Sequence, residues 1–194
     1  MTKPLNRRAA VARLLADRSD DLLVVTGLGS PSYDVMAAGD NDRNYYLWAA
    51  MGSATMVGLG LAKAQPSKSV LVVTGDGELM MGMGALATIA THQPANLTIA
   101  VLDNGHFGET GMQTSHSGLG VQIDKVAAAL GFSWTAQISE MAGVDDLRGR
   151  LTRRDGARLA VLKIEAENAP RVLPSRDGVH IKNRFRAALG HAPI

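Results

Sequence analysis

Two short polar stretches, each directly after an apolar run, offer oxygen atoms that could bind a metal ion. Gly75-Asp76-Gly77 and Asp103-Asn104-Gly105 both follow such runs. Asp76 supplies a carboxylate oxygen, Asn104 an amide oxygen, and the irregular backbone after Asn104 a carbonyl oxygen. Because this donor set contains no imidazole and no thiolate, it suits Mg²⁺ or Ca²⁺. These ligands leave an octahedral Mg²⁺ shell incomplete, and phosphate oxygens of a bound ligand commonly complete it.

The glycines beside Asp76 indicate which ligand would share the metal. Gly75 and Gly77 carry no side chain, so the backbone can approach a diphosphate closely there. A helix that starts near Glu78 would add free N–H groups and the positive end of its dipole. A lone Gly-Asp-Gly tripeptide is more often a plain turn, but the second polar strand end favours a Mg²⁺-diphosphate site.

Apolar runs alternate with segments of helical periodicity along the chain. Buried strands are predicted at residues 21–27, 69–75, 96–104 and 158–165, with a weaker strand at 45–48. Helices are predicted within 1–21 and at 53–65, 80–93, 122–131 and 140–151. This alternation predicts one domain over residues 1–194 with an α/β, doubly wound fold, in which helices cover both faces of a mainly parallel sheet. Ligands of such folds bind beyond the carboxyl ends of strands, so Asp76 and Asn104 should share one edge.

Composition excludes several classes of function. The chain carries a formal net charge of +2 with no run of five like charges, so nucleic acid is not expected as a partner. It has no cysteine, which excludes disulfide scaffolds and cysteine-ligated metals and fits a reducing compartment. No apolar run approaches the ~20 residues that span a bilayer, so we expect a cytoplasmic protein without a membrane partner. The Arg- and Ala-rich start is interpreted as a first helix because its aspartates are unlike a transit peptide.

One further glycine pattern matches a known motif but lies in the wrong context. Residues 82–87, GMGALA, fit the dinucleotide fingerprint G-x-G-x-x-A. They fall inside a predicted helix, whereas the fingerprint belongs at a strand-to-helix turn. We therefore interpret Gly82 and Gly84 as positions that permit close helix packing.

The two polar strand ends resemble the signature of thiamine diphosphate enzymes. In that family an Asp and an Asn, placed as Asp76 and Asn104 are here, bind the magnesium that carries the cofactor diphosphate. The resemblance implies the backbone carbonyl of His106 as the third metal ligand. Asp103 departs from the family, where many members have a second Asn. The implied cofactor contacts are Gly75, Asp76, Gly77, Glu78, Leu79, Asn104, His106 and Phe107.

The segment YYLWAAMGSATMVGLGLA, residues 45–62, strengthens the resemblance. Decarboxylases of the family carry a large apolar residue followed by Gly just before a helix, and this residue supports the bent cofactor. Met51 is implied in that role, and the carbonyl of Ala49 would accept a hydrogen bond from the cofactor amino group. The alternative for Met51 is an ordinary core methionine.

Within this superfamily the chain resembles the diphosphate-binding β subunit of sulfopyruvate decarboxylase and, next to it, phosphonopyruvate decarboxylase. The similarity runs through residues 27–34, 41–62, 74–116 and, weakly, 179–189. It implies release of CO₂ and an aldehyde from a small 2-oxoacid, with thiamine diphosphate and Mg²⁺ as cofactors. A carboligase or synthase subunit of the same superfamily, and a non-catalytic thiamine diphosphate-binding module, remain the alternatives.

We expect no counterpart in residues 1–194 of the half of the family's active site that activates the cofactor. Thiamine diphosphate enzymes take an activating glutamate from a separate domain of similar fold, and Glu78, Glu109 and Glu140 all lie within or beyond the diphosphate half. The resemblance therefore implies a pyrimidine-domain α subunit that supplies this glutamate. By analogy, an α₂β₂ complex or a multiple of it is expected.

Two loops are the candidates for contact with the substrate. In residues 28–34, Tyr33 and Asp34 stand where a Lys or Arg followed by Glu is expected, so either the substrate differs or the loop only closes over the partner. Residues 104–118 are predicted to form a lid, in which His116 and Glu109 are catalytic candidates. The alternative for His116 is a solvated loop histidine.

Overall fold

A computed structural model of the protein describes residues 3–48 and 51–194, and strands alternate with helices throughout these ranges. The strands are β1 (Leu22–Thr26), β2 (Asn44–Tyr46), β3 (Ser69–Gly75), β4 (Leu97–Asp103), β5 (His106–Phe107), β6 (Gln113–Thr114), β7 (Trp134–Ile138) and β8 (Arg158–Lys163). The helices are α1 (Arg7–Leu15), α2 (Ser30–Ala37), α3 (Ala54–Ala64), α4 (Asp76–Met81), α5 (Gly84–His92), α6 (Ile123–Ala129), α7 (Met141–Arg150) and α8 (Gly178–Ala188). Within the described ranges, no helix has the length and apolar character needed to cross a membrane.

Six of the strands form one parallel sheet in the order β2-β1-β3-β4-β8-β7. The predicted doubly wound α/β fold is confirmed. Strand β2 lies on one side of β1 and β3 on the other, so the chain moves from β1 to β2 in one direction along the sheet and from β3 to β4 in the other. Such a reversal opens a crevice beyond the carboxyl ends of the two strands.

The sheet is buried on both faces, which explains the continuous apolar strands of the sequence. Successive side chains of a strand point to opposite faces. On β3, Leu71 and Val73 belong to the core shared with α1, α2 and α7, whereas Val70 and Val72 belong to the core shared with α3, α5 and α6. The fold therefore has three layers with the sheet in the middle.

Helix α8 covers the edge of the sheet at β2. Its buried residues Ile181 and Phe185 lie one turn apart and join the two different cores. Phe185 packs edge-on against Tyr45 of β2, with ring centroids 5.4 Å apart. The basic C-terminal segment thus contains a helix with a buried apolar side.

Strand β7 was not predicted, because its sequence WTAQI lacks an apolar run. It lies at the edge of the sheet beside β8, and four of its five residues are partly or fully exposed. A strand that is solvated on part of its surface keeps polar residues such as Thr135 and Gln137. The hydrophobic pattern of the sequence therefore indicates β7 less clearly than it indicates the central strands.

Two segments near the carboxyl edge also differ from the sequence prediction. Residues 28–34 were predicted as a loop, but α2 begins at Ser30, with Pro31 in its first turn, a position that Pro favours. The helix predicted at 80–93 is two helices, α4 and α5, which are separated at Gly82. The long loop after β4 contains a short antiparallel hairpin of β5 and β6.

The contact of α3 with the sheet yields a test of the packing. A Cβ at Gly58 would lie 2.3 Å from Cγ2 of Val72, whereas a Cβ at Gly60 would have no atom within 4 Å. We expect Gly58→Ala to lower the free energy of unfolding by about 1–3 kcal/mol through overpacking. Gly60→Ala should raise it by about 0.5–1 kcal/mol, because Ala favours the helix. Urea unfolding of both variants measures this, and equal effects would show that α3 shifts freely on the sheet.

Candidate functional site

A pocket opens at the carboxyl edge of the sheet, beside the crevice between β1 and β3. It encloses about 630 Å³ of empty space, part of which is open solvent. Its wall is built by the residues that follow β1, β3 and β4, together with Met51 and Arg7. This is the place where folds of this class bind ligands.

Most of the site residues predicted from the sequence meet in this pocket. The ones that line it are Met51, Gly75, Asp76, Gly77, Glu78, Asn104, His106, Phe107 and Glu109. The side chain of Leu79 is instead buried in the core, so a ligand could meet only its backbone. His116 is exposed outside the pocket lining, where its ring packs edge-on against Phe107 at 6.4 Å. Ala49 lies outside the described residues.

Asp76 is the first residue of α4, and its carboxylate is held by the loop that follows β4. Its Oδ2 accepts hydrogen bonds from the hydroxyls of Ser115 and Ser117, the latter at 2.7 Å. Burial raises the pKa of Asp76, whereas the hydrogen bonds from the two serines lower it. The nearby negative charge of Asp103 raises the pKa further. A buried carboxylate of this kind is well suited to a cation, because a cation would compensate its charge.

Asp103, which departs from the family pattern, holds the loop that follows β4 in place. Its Oδ1 accepts hydrogen bonds from the Gly105 N–H at 2.9 Å and the Ser117 hydroxyl at 2.7 Å. Its Oδ2 lies 2.6 Å from Nζ of Lys163, the neighbouring residue on β8. Asp103 does not line the pocket, and its negative charge is already paired with the ammonium group of Lys163. Its contacts therefore position the loop.

Asn104 and His106 form a tight turn at the end of β4. The side-chain oxygen of Asn104 accepts a hydrogen bond from the His106 N–H at 2.9 Å, as in an Asx turn. The His106 ring places Nδ1 at 2.8 Å from the Asn104 carbonyl, so the ring is held by the backbone. Both residues line the pocket with Asp76.

The available donors fit a metal that shares a phosphate ligand. In the described part of the chain, no group of three or more His, Cys, Asp or Glu side chains is placed to hold a metal. The pocket offers one carboxylate at Asp76, one amide at Asn104 and backbone carbonyls. So few charged ligands suit Mg²⁺, which commonly takes one or two carboxylates and completes its shell with phosphate and water.

Gly77 is required for the floor of the pocket. A Cβ at this position would lie 2.5 Å from a ring carbon of Phe107. The ring of Phe107 thus packs directly on the backbone of α4. Any side chain at position 77 would therefore force the ring of Phe107, which lines the pocket, to move.

Glu78 connects α4 with the start of α3. Its Oε1 accepts hydrogen bonds from the N–H groups of Gly52 at 2.9 Å and Ala54 at 3.3 Å, and its Oε2 accepts one from the Thr74 hydroxyl. Burial raises the pKa of Glu78, and the backbone hydrogen bonds oppose this. Glu78 therefore caps α3 and fixes the turn that carries Met51.

Met51 lies at the rim of the pocket and is 43% exposed, which excludes the core alternative. The next residue, Gly52, has φ +86°, a conformation that favours glycine. The backbone of Gly52 is packed against Gly82, where a Cβ would lie 1.9 Å from the Gly52 oxygen. The position of Met51 thus depends on the break between α4 and α5.

The close contact between Gly52 and Gly82 predicts different effects for substitutions at Gly82 and at Gly84. Gly82→Ala should displace the turn at Gly52, lower the free energy of unfolding by about 1–3 kcal/mol and weaken ligand binding in the pocket. Gly84→Ala is the matched control, since a Cβ there has no atom within 4 Å and Ala favours the helix. Urea unfolding and binding titrations of both variants measure the difference. A Gly82→Ala protein that matches the unaltered chain would contradict the close contact.

Glu109 lies on the opposite rim and is held by two partners. Its Oε1 accepts a hydrogen bond from the Ser30 hydroxyl at 3.2 Å, and its Oε2 pairs with Arg171 at 2.9 Å. Arg171 belongs to the segment between β8 and α8, which also reaches Gly108 through a 3.1 Å hydrogen bond from Asn168. This segment therefore borders the pocket, which no motif or spacing in the sequence indicates.

Tyr33 and Asp34, the proposed substrate residues of the first loop, do not line the pocket. Both are buried in α2, with exposures of 7% and 1%. Asp34 pairs with Nε of Arg7 and with Nε of Arg8, each at 2.7 Å. Arg7 does line the pocket. The sequence analysis missed Arg7, since nothing near α1 marks it as a ligand-binding residue.

Comparison with known proteins gives a consistent result. The model of the family "Thiamine pyrophosphate enzyme, C-terminal TPP binding domain" matches residues 33–172. Phosphonopyruvate decarboxylase of Streptomyces viridochromogenes is 36% identical over 192 residues, which are 96% of this chain and 47% of that protein. Sulfopyruvate decarboxylase subunit beta of Methanothermobacter thermautotrophicus is 32% identical over 182 residues, 93% of this chain and 94% of that subunit.

The chain thus spans about half the length of the Streptomyces relative and nearly all of the archaeal subunit. A solved structure from Mycobacterium smegmatis, described as that of a thiamin diphosphate-dependent enzyme, has the same fold. The two superpose with a TM-score of 0.72 at 22% identity, over 84% of this chain and 32% of that one.

Proposed function

The chain belongs to the thiamine pyrophosphate (thiamine diphosphate) enzyme family, and from this premise we propose that it is the Mg²⁺- and diphosphate-binding subunit of a heteromeric 2-oxoacid decarboxylase. The observation that carries the proposal is that Asp76 and Asn104, at the ends of neighbouring strands, line one pocket. The full-length match to a sulfopyruvate decarboxylase β subunit supports the reaction and the substrate class. The proposal treats residues 1–194 as one such domain, located in the cytoplasm.

Different residues of the pocket would bind the metal, support the cofactor and act on the substrate. Asp76, the Asn104 side chain and the His106 carbonyl would hold Mg²⁺. Gly77 keeps the pocket floor open, and Met51 would support the cofactor from the rim. The cofactor, when bound, supplies the electron sink for loss of CO₂ from a 2-oxoacid. His116, next to Phe107, and Glu109, on the rim, are the proposed residues for proton transfer at the substrate.

A partner subunit is part of the proposal, because the carboxylates of this pocket are already engaged. Glu78 accepts hydrogen bonds from the backbone N–H groups of Gly52 and Ala54, and Glu109 pairs with Arg171. The archaeal relatives are named as β subunits, which implies an α partner. We propose that a pyrimidine-domain α subunit supplies the activating glutamate, in an α₂β₂ complex or a multiple of it.

The test is reconstitution of the two-chain enzyme. The chain is produced with the pyrimidine-domain subunit of a neighbouring gene and assayed with Mg²⁺ and thiamine diphosphate. Sulfopyruvate, phosphonopyruvate and pyruvate are compared, and both CO₂ and the aldehyde are measured. We expect CO₂ and aldehyde in equal amounts, only when both chains are present, and loss of activity on chelation of the metal.

The same assay separates the alternative functions. A carboligase would release CO₂ without an equal amount of aldehyde, because the product would be a longer ketone. A binding module would hold the cofactor without turnover in any complex. Either result would overturn the decarboxylase assignment.

A further inference from the structure

We propose that Arg7 is an anion-binding residue of this pocket, whose two Nη groups take an oxyanion of the bound ligands. The oxyanion is either a phosphate oxygen of the cofactor or the acidic group of a substrate. The nature of these ligands rests on the proposed function, whereas the site itself rests on the position of Arg7.

Arg7 is a buried cation with unused donors. It is 3% exposed and lines the pocket. Its Nε donates a hydrogen bond to Oδ2 of Asp34 at 2.7 Å, and the Nη groups have no hydrogen-bond partner among the described residues. These Nη atoms are not among the fully buried atoms that lack a partner, so they are open to the pocket, where a ligand oxygen can accept hydrogen bonds from them. The planar fork of a guanidinium suits phosphate, sulfonate and carboxylate oxygens.

The charges around Asp34 leave one positive charge uncompensated. Asp34 faces two arginines, Arg7 and Arg8, at equal distances of 2.7 Å. Arg8 uses Nη2 to donate a hydrogen bond to the Pro170 carbonyl at 2.5 Å, on the outer side of α1. A single carboxylate cannot neutralise both cations. One positive charge of the pair is therefore surplus, and Arg7 is the arginine of the two that lines the pocket.

The other charged groups of the pocket have partners. Asp76 accepts hydrogen bonds from two serines, and Glu78 accepts them from the backbone at the start of α3. Glu109 accepts them from Ser30 and Arg171. Among the described residues that line the pocket, Arg7 is the one with a permanent positive charge. An anion that enters the pocket therefore finds its complementary charge there.

This position changes the conclusion about the substrate. The first loop, residues 28–34, has no basic residue, so that either the substrate differs from that of the family or the loop only closes over the partner. Arg7 brings a cation into the same pocket from α1, which no local pattern of the loop could indicate. An anionic ligand is therefore compatible with this chain.

Arg7→Gln and Arg8→Gln provide a matched pair for the test. Each removes one cation from Asp34, but only Arg7 lines the pocket. The probes are inorganic pyrophosphate with Mg²⁺, for the cofactor, and sulfoacetate without metal, for an acidic substrate. Binding to the full chain is measured from the rise in the thermal unfolding midpoint over a concentration series, relative to each variant's own baseline.

We expect Arg7→Gln to weaken binding of at least one probe by about tenfold or more, while Arg8→Gln changes it less than about twofold. Loss of pyrophosphate binding identifies the cofactor as the source of the anion, and loss of sulfoacetate binding identifies the substrate. Equal effects of the two variants, no effect of either, or no probe binding to the unaltered protein would overturn the proposal.

Two further comparisons address the cases in which Arg7→Gln does not fold or the proposed reaction is absent. If Arg7→Gln does not fold, Arg7→Lys keeps a charge near Asp34 but lacks the fork, and the same probes should bind more weakly to it. The probes need no turnover, so the proposed function can fail independently. A protein that binds anions through Arg7 but releases no CO₂ with any partner would retain the site and lose the assigned reaction.

Discussion

Replacing Asp76 by Ala is expected to weaken binding of thiamine diphosphate with Mg²⁺ by at least about 100-fold, because even residues behind metal ligands contribute 10–100-fold. Asp76 is the one charged side chain in the proposed ligand set. Its burial raises its pKa, so the charge is costly without a metal and its removal should leave the fold intact. Calorimetric titration of the cofactor, with and without Mg²⁺, measures the loss.

Asp103→Asn is the matched control for this prediction. Asp103 is also buried and also accepts a hydrogen bond from Ser117, but it does not line the pocket. We expect its replacement to weaken cofactor binding less than about tenfold, through a looser loop after β4. Unchanged affinity in the Asp76→Ala protein, or equal losses in both variants, would contradict the assignment of Asp76 as a metal ligand.

Replacing Met51 by Ala is expected to slow turnover of the two-chain enzyme on the order of 10²-fold, while the dissociation constant of the cofactor changes little. The reason is that Met51 lies at the rim of the pocket, away from the proposed metal ligands, and would act on the shape of the bound cofactor. A misplacement of about 1 Å at a reacting centre costs rates of this size. Steady-state kinetics at saturating cofactor, combined with a binding titration, separate the two quantities.

Met56→Ala is the control for Met51. The two methionines have nearly equal exposure, 43% and 40%, and Met56 lies further along α3, outside the pocket lining. Turnover by the Met56→Ala enzyme should remain close to that of the unaltered enzyme once assembly has been verified by size-exclusion chromatography. A Met51→Ala enzyme with weaker cofactor binding but normal turnover at saturation would refute the supporting role.

The positions proposed for chemistry depend on one another through the backbone. Glu78 ties the turn before α3 to α4, and Gly82 allows the Gly52 backbone to approach. The loop after β4 is tied to Asp76 by Ser115 and Ser117. The proposed metal ligands and Met51, which is proposed to support the cofactor, thus belong to one packed unit. A substitution at Gly82 should therefore displace Met51.

The amino-acid sequence determined the central sheet and the residues at its carboxyl edge. The strands predicted at 21–27, 69–75, 96–104 and 158–165 are β1, β3, β4 and β8, within one or two residues at each end. Strands buried on both faces are continuous apolar runs, so their signal is local and strong. The Gly-Asp-Gly tripeptide and Asn104 follow two of these strands. Their meeting at one edge then follows from parallel pairing.

The tertiary structure alone decided which further side chains reach the site. Ser115 and Ser117 contact Asp76 across about 40 positions of sequence, and Arg7 enters the pocket from α1. Lys163 meets Asp103 because β4 and β8 are neighbours in the sheet but far apart in the chain. Such contacts leave no periodicity or spacing in the sequence. They arise only when the packing of helices and strands brings distant segments together, and this is why the anion-binding role proposed for Arg7 emerges from the folded chain.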